Sequence, residues 1–297
     1  MEYRSFSDLE NRIGQMEKRR ISVAAAEDAE VIKTIKAVTE QGLAECILVG
    51  DKVRIELLMK SEGLQTAEII NVADPNEAAL EAASLVRQGR ADVLMKGLVN
   101  SSDFLKAVLD KEKGLKTGKT LSHLAVFEVP NYPKLQFHTD GGMNLYPDLA
   151  LKKAIIDNSL EALKKIGLDI PKVAVLTANE AVNPKMPSTV DAAELVELNK
   201  NGGFLPCIME GPISMDVALS REAAQHKGIG SEISGKTDLF VVPNIDAGNM
   251  IGKTLIYCAN AKMAGVILGA RCPVVMTSRA DNAEGKLNSI ILACAAS

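Results

Sequence analysis

Between residues 20 and 109 short aliphatic runs alternate with helical stripes, and only a few residues separate one from the next. Apolar runs fall at 20–26, 46–49, 67–71 and 92–95. Between the first two, Val31, Ile32, Ile35 and Val38 recur at helical spacing and Gly42 closes the stretch. A second helical stretch surrounds residues 53–60. Asp74-Pro75-Asn76-Glu77 then has the form of a capping box with proline at the first helical position, ahead of a helix ending at Gly89. A strand that is followed each time by a helix must return parallel to its predecessor, so this half of the chain specifies a parallel sheet clothed by helices. The core composition agrees: 47% of residues are hydrophobic, with no tryptophan and 3% aromatics, which suits Val/Ile/Leu/Ala strands buried on both faces.

At 297 residues the chain exceeds one typical core, so two domains are expected. Two apolar runs, 124–129 and 135–139, flank Pro130-Asn131-Tyr132-Pro133 and read as an antiparallel excursion, which places a domain change near residue 130. Beyond it Tyr146-Pro147 opens a long helix closed by Gly167, 173–177 is a strand, and Ser188 is expected to cap a helix over 190–199. Residues 206–209 read as a strand, and Glu210-Gly211-Pro212 as a turn into a helix containing Asp216. A net charge of −4 argues against nucleic acid or an anionic membrane as the main partner. The N-terminus lacks the apolar stretch of a signal peptide, and no apolar run reaches the roughly 18 residues of a membrane span. Cys46, Cys207, Cys258, Cys272 and Cys294 form no close pair and read as buried reduced thiols of a cytoplasmic protein.

The chemistry concentrates near the C-terminus, where a strand–turn–helix pattern occurs twice. Residues 239–242 lead through Pro243-Asn244-Ile245-Asp246-Ala247-Gly248-Asn249 into a helix expected from Met250. Residues 273–277 lead through Ser278-Arg279-Ala280-Asp281-Asn282 into a helix expected from Ala283. A helix N-terminus has unpaired N–H groups and roughly half a positive charge, so each turn is a candidate anion seat. Arg279 offers a bidentate grip on phosphate, and Ser278 a hydroxyl to an oxyanion or nucleophile. Asp281 and Glu284 stand in capping-box relation, which competes with a catalytic role for either. Asp246 is the expected cap of the first turn, while Gly248 permits close backbone approach and Asn249 a hydrogen bond to a ligand. Lys96 and Asn100 follow the fourth strand, where open α/β sheets place ligands. The lysine-bearing loop 111–119, with Lys119 at its end, reads first as solvated and second as a phosphate clamp. His123, His138 and His226 read as ordinary core or surface histidines, and no metal-ligand spacing occurs. Residues 230–237 satisfy GxxxxGK[ST], but helix precedes and strand follows them, the reverse of what a phosphate loop requires.

Five stretches in order carry a family resemblance: ADVLMKG at 91–97, TDGGMN at 139–144 after His138, EGPISMD at 210–216, VPNIDAGN at 242–249 and TSRAD at 277–281. Together they resemble the phosphate acetyl/butyryl transferase family over essentially the whole chain, and TDGGMN and MKGLVN look more like its butyryl branch. The resemblance implies reversible acyl transfer between butyryl-CoA and phosphate, giving butyryl phosphate and CoA, with acetyl or another short chain as the alternative. A metal- and NAD-dependent hydroxy-acid dehydrogenase is the more remote reading. The family resemblance further implies CoA as substrate, no metal and no bound cofactor, and a homodimer. The implied fold is two α/β/α domains with mostly parallel sheets, isocitrate/isopropylmalate dehydrogenase-like, with an interdomain active-site cleft. Residues 1–130 plus 265–297 would form the first domain and 131–264 the second, dimerising one. In the family the serine and arginine matching Ser278 and Arg279 orient the thiol and grip the phosphate. The acetyl enzymes place an aspartate base seven residues after that serine. Here that position is Gly285, so Glu284, Asp281 and no dedicated base all stand open, and Lys96 and Lys119 are substitutes for cleft arginines.

Overall fold

The computed structural model describes residues 2–276 and 283–297. Ser278, Arg279 and Asp281, and with Asp281 the expected capping box to Glu284, lie outside the described residues. The chain forms two compact units: Phe6–Lys119 with Ala264–Ser297, and Met1–Ser5 with Thr120–Met263.

The first unit runs α1 (Phe6–Ile13), β1 (Arg19–Ala24), α2 (Ala29–Glu40), β2 (Ala44–Gly50), α3 (Lys52–Glu62), β3 (Glu68–Asn71), α4 (Pro75–Arg87), β4 (Val93–Lys96) and α5 (Ser101–Val108). Local chemistry sets these boundaries. The carboxylates of Asp28, Asp51 and Asp74 accept from the first-turn amides of α2, α3 and α4 at 2.9–3.2 Å, and Pro75 opens α4 as expected. Strands β3, β2, β1 and β4 pair in that order, all parallel. The chain therefore steps outward from β1 to β3 and then jumps back past both to β4. Right-handed crossovers on that path put α4 on the face opposite α2 and α3, and α4 packs on β1 and β2 while α2 packs on α3. The four residues of β4 are all buried, whereas the edge strand β3 is not.

The second unit runs β5 (Ser122–Glu128), β6 (Gln136–Thr139), α6 (Leu149–Ile166), β7 (Lys172–Leu176), α7 (Pro187–Lys200), β8 (Ile208–Ile213), α8 (Met215–Leu219), α9 (Arg221–His226), β9 (Leu239–Val241) and α10 (Ile245–Ala259). Its sheet order is β5-β6-β9-β7-β8, with β5 antiparallel to β6 and the rest parallel. The chain then returns through β10 (Lys262–Leu268), β11 (Val274–Val275) and α11 (Ala283–Ala295) to the first unit. There β11 lies parallel to β4 and antiparallel to β10, and α11 packs against α1 and α2.

Several expectations are corrected. The first crossing between units falls at 119/120 rather than near 130, because β5 pairs with β6. Residues 1–5 also group with the second unit, where Leu135 donates to the Tyr3 carbonyl and the Tyr3 hydroxyl to Ile166. Helix α7 begins at Pro187 after Met186, not at a Ser188 cap, since proline supplies the first-turn φ without an amide to satisfy. Glu210-Gly211-Pro212 belongs to β8 rather than to a turn. Helix α10 starts at Ile245, capped by Asn244 and not Asp246, five residues before the expected Met250. Cys258 is exposed and Cys207 half-buried, while Cys46, Cys272 and Cys294 are buried. Burial pushes the Cys46 and Cys294 thiols up to about 12. No helix among the described residues is long and apolar enough to cross a membrane.

Two glycines separate backbone necessity from mere tolerance. A Cβ on Gly97 would stand 2.3 Å from the Ala25 carbonyl oxygen and 2.7 Å from that of Ala24, whereas one on Gly230 would meet nothing. Gly97→Ala is expected to cost about 1–3 kcal/mol in urea unfolding and Gly230→Ala less than about 0.5; equal effects would remove the backbone contact from the account.

Candidate active site

In the first unit the strand order reverses between β1 and β4, and ligands of open α/β sheets bind outside the carboxyl ends at such a point. Lys96 is the last residue of β4 there. It is 8% exposed, and its ammonium donates to the Gly97 carbonyl at 3.3 Å. The amides of Gly97 and Leu98 donate to the carbonyls of Ala24 and Ala25, binding the β4 exit to the β1 exit. Asn100 is the N-cap of α5, so neither Ser101 nor Ser102 caps it. The Asn100 side chain makes no capping bond. Lys119 is exposed at the end of a loop whose lysines face solvent but whose Leu115 is fully buried, and its amide donates to the Thr117 hydroxyl at 3.2 Å. Glu27, which sequence reasoning passed over, follows β1 and lies 9% exposed against Gly50. Burial raises its pKa. The signal was an acid placed directly after the first strand.

In the second unit the loops after β6 and β9 are built as one piece. Asp140 is 3% exposed and accepts four hydrogen bonds. Gly142 and Met143 amides reach one oxygen at 2.9 Å each, while the His123 amide at 3.1 Å and the Asn144 carboxamide at 2.6 Å reach the other. The carboxylate thus serves as the hub of the TDGGMN loop. Gly141 then meets Gly248 backbone to backbone: a Cβ on Gly248 would stand 2.6 Å from the Gly141 Cα. Asn244 caps α10 by accepting from the Ala247 amide at 3.0 Å. Its sequence signal was hidden because Gly248 reads as part of a turn, whereas here it is the helical residue that lets the other loop approach. Asp246, freed from capping, accepts from the Tyr146 hydroxyl at 2.7 Å and raises the phenol's pKa. Asn249 is exposed on α10. Asn244, Asp246, Gly248 and Asn249 are therefore brought together at the head of α10, beside the TDGGMN loop.

A cavity of about 150 Å³ lies beneath α10, walled by His123, Phe127, His138, Gly248, Asn249 and Ile256 among others. His138 is 4% exposed, stacked on Phe240 at 4.7 Å and edge-on to Phe127 at 5.1 Å. Desolvation lowers its pKa to about 3, so the ring is neutral. It is thus a core histidine, one of the two settings the sequence left open, and it also borders a pocket, which the sequence did not disclose. His226 is exposed at the end of α9. Glu284 is exposed in the first turn of α11. Among the described residues no group of three His, Cys, Asp or Glu is placed to hold a metal ion. The GxxxxGK[ST] stretch falls between α9 and β9, in the inverted order that disqualified it.

Comparison with known proteins bears on the chain as a whole. The phosphate acetyl/butaryl transferase family matches residues 7–81 and 76–294. The chain belongs to this family. Phosphate butyryltransferase of Clostridium acetobutylicum is 44% identical over 292 residues, covering 98% of this chain and 97% of its own. Phosphate acetyltransferase of Thermotoga maritima is 39% identical over 276 residues, 92% of this chain and 94% of its own. Among solved structures, a branched-chain phosphotransacylase from Enterococcus faecalis V583 superposes with a TM-score of 0.82 at 35% identity, covering 93% of this chain and 98% of that one. A 4-hydroxythreonine-4-phosphate dehydrogenase from Klebsiella pneumoniae reaches 0.61 at 14% identity over 94% and 100%, which is a likeness of fold alone. The α/β architecture, mostly parallel within each unit, is thus shared with a dehydrogenase-type fold.

His138 makes stability depend on pH in a definite direction. Its pKa is near 6.5 when unfolded and about 3 when folded. Between those values the unfolded chain binds a proton that the folded chain excludes. The contribution is complete above pH 6.5 and is lost as pH falls from there towards 3, by up to about 1.4 kcal/mol per pH unit. Between pH 7 and 5 the wild type is expected to lose about 2 kcal/mol more than His138→Phe in urea unfolding. Parallel curves for the two proteins would show that the buried ring takes up its proton without unfolding.

Proposed function

We propose that this enzyme transfers a short acyl group, butyryl in the first place, reversibly between coenzyme A and inorganic phosphate. The observation that carries the reading is the likeness to a phosphate butyryltransferase over nearly the entire chain. In the direction of acyl-phosphate use, the CoA thiol gives up its proton and the sulfur attacks the carbonyl carbon. The carbon–oxygen bond to phosphate then breaks as the carbon–sulfur bond persists, and phosphate departs. Three needs follow: a seat for phosphate, a donor to the carbonyl oxyanion, and a destination for one proton. Arg279 fills the first, Ser278 orients the thiol or donates to the oxyanion, and Glu284 or Asp281 takes the proton, unless solvent does so directly. Lys96, Asn100 and Lys119 offer further contacts for the CoA phosphates, as do Asn244, Asp246, Gly248 and Asn249 for the rest of the substrate. The reaction calls for no metal and no bound cofactor. Acetyl is the second reading of the acyl group, favoured by the likeness to a phosphate acetyltransferase.

We place the enzyme in the cytoplasm and assign it a homodimeric state. What supports self-association is α10, whose only buried residue is Gly252 and which turns Met250 and Tyr257 outward at 67% and 77% exposure. Apolar side chains presented on one helix face are suited to a second copy of the same surface.

Mixing CoA with butyryl phosphate and following thioester absorbance tests the function directly; no thioester in metal-free buffer would refute it, and NAD(P) reduction with added divalent metal would favour the dehydrogenase reading instead. Arg279→Ala is expected to lower turnover by about 10²-fold or more, by analogy with loss of an oxyanion donor; a loss under about threefold would take the guanidinium out of the reaction. Glu284→Gln is expected to lower kcat and shift the pH–rate profile. An unchanged profile with a lower melting temperature would assign Glu284 to the helix end.

A further inference from the structure

Of the lysine loop after α5 the reading above uses only Lys119, and the loop is built rather than slack. Asp110 accepts from the Glu112 and Lys113 amides at 2.9 and 2.7 Å. The Leu115 amide donates to the Val108 carbonyl at 2.7 Å, and its side chain is fully buried. Arg87, at the end of α4, donates to the Gly114 carbonyl at 3.1 Å. A Cβ on Gly114 would stand 2.5 Å from the Asp110 carbonyl oxygen, so the turn has no slack for a side chain there. The segment joining β10 to β11 clamps the other side. Thr117 donates its hydroxyl to the Gly269 carbonyl at 2.6 Å, and the Arg271 amide donates to the Leu115 carbonyl at 2.9 Å.

This frame turns cations outward. Lys111, Lys113, Lys116 and Arg271 are all exposed. Among the described residues no hydrogen bond or ion pair engages their charged ends, and Lys113 meets only the field of Asp110. Glu112 is the one acid between residues 111 and 116, although the chain as a whole carries a net charge of −4. Like charges fixed on an anchored backbone repel one another. A bound anion relieves that repulsion, and little ordering entropy remains to be lost when it arrives. Residues 269–273 lead into β11, which runs parallel to β4, so the patch lies at the amino ends of those strands. Lys96 stands at the carboxyl end of β4, and the length of a strand separates the two.

We propose that Lys111, Lys113, Lys116 and Arg271 form a site for a chain of two or more phosphates. Arg271 grips one phosphate bidentately, and the lysines supply point charges to its neighbours. A nucleic acid or a membrane would need a broader basic surface than one loop of an acidic chain. Such a phosphate chain comes either from a free nucleoside triphosphate or from the diphosphate of CoA; only the second source rests on the transferase reading.

Calorimetry on the full chain with inorganic tripolyphosphate tests the site. The wild type is expected to bind it, and more weakly as salt is raised. Arg271→Gln, and separately Lys111→Gln, Lys113→Gln and Lys116→Gln combined, are each expected to weaken it about tenfold or more without affecting orthophosphate. Wild type that does not bind tripolyphosphate, or that binds oligoglutamate as tightly, overturns the proposal. Variants that keep the affinity but melt lower also overturn it, and assign the lysines to the C-terminal dipole of α5. The thioester assay then assigns the source. A KM for CoA raised about tenfold in the combined lysine variant, with kcat kept, identifies the CoA diphosphate. An unchanged KM, with ATP bound by the wild type and lost in the variant, identifies a free nucleoside triphosphate. Tripolyphosphate binding with neither pattern overturns the proposal. Absence of turnover with every acyl phosphate, with tripolyphosphate binding as expected, would defeat the transferase reading and leave this site standing.

Discussion

The contact on which the second unit's loops depend is backbone against backbone, Gly141 on Gly248. Neither position has room for a side chain, and a Cβ at either would penetrate the other glycine's main chain. The approach is possible only because Asp140 gathers the preceding turn: four donors converge on one buried carboxylate, which fixes the path of residues 140–144. A charged group with all its acceptor directions filled is costly to remove and provides rigidity that a solvated loop lacks. The head of α10, with Asn244 as its cap, is held against that platform.

The first unit solves an analogous problem with a different device. Where its strand order reverses, the exits of β1 and β4 are joined by main-chain hydrogen bonds from Gly97 and Leu98, and Gly97 again has no room for a Cβ. Lys96 is thereby held at a buried strand end instead of trailing in solvent, which makes its ammonium a placed charge of low conformational entropy. Glu27 sits one strand exit away with its carboxyl desolvated. Both units thus put their rigid, glycine-dependent loops at the carboxyl ends of parallel strands, the position that leaves helix amides and strand-end side chains available to ligands.

Much of this was legible in the residues. The βα alternation of residues 20–109, the Asp74 cap with Pro75 behind it and the helix-closing glycines are local signals, and each led to the element it announced. The antiparallel β5–β6 excursion was also legible, though its consequence for the unit boundary was not, because pairing partners decide to which sheet a strand belongs. Helix α1 and strand β10 escaped notice. Nor was the antiparallel course of β10 and β11 foreseen, although the connection between them is too short for a parallel crossover. Asp246 was misassigned as a cap since Asn244 two residues earlier competes for the same amides, and Gly248 in a helix resembles Gly248 in a turn.

By itself, the sequence determined the parallel α/β class, the family, and the residue types that the transfer chemistry requires, because these are written in period, capping and short ordered motifs. The tertiary structure alone decided that Asp140 is a structural hub, that Asp246 bonds Tyr146, that Gly141 and Gly248 touch, and that His138 borders a cavity under α10. The Tyr146–Asp246 and Gly141–Gly248 contacts join residues about a hundred positions apart, Asp140 gathers its own turn together with the His123 amide of the neighbouring strand, and the setting of His138 depends on what covers a side chain once strands have paired. No local pattern records which distant segment will exclude water from a ring.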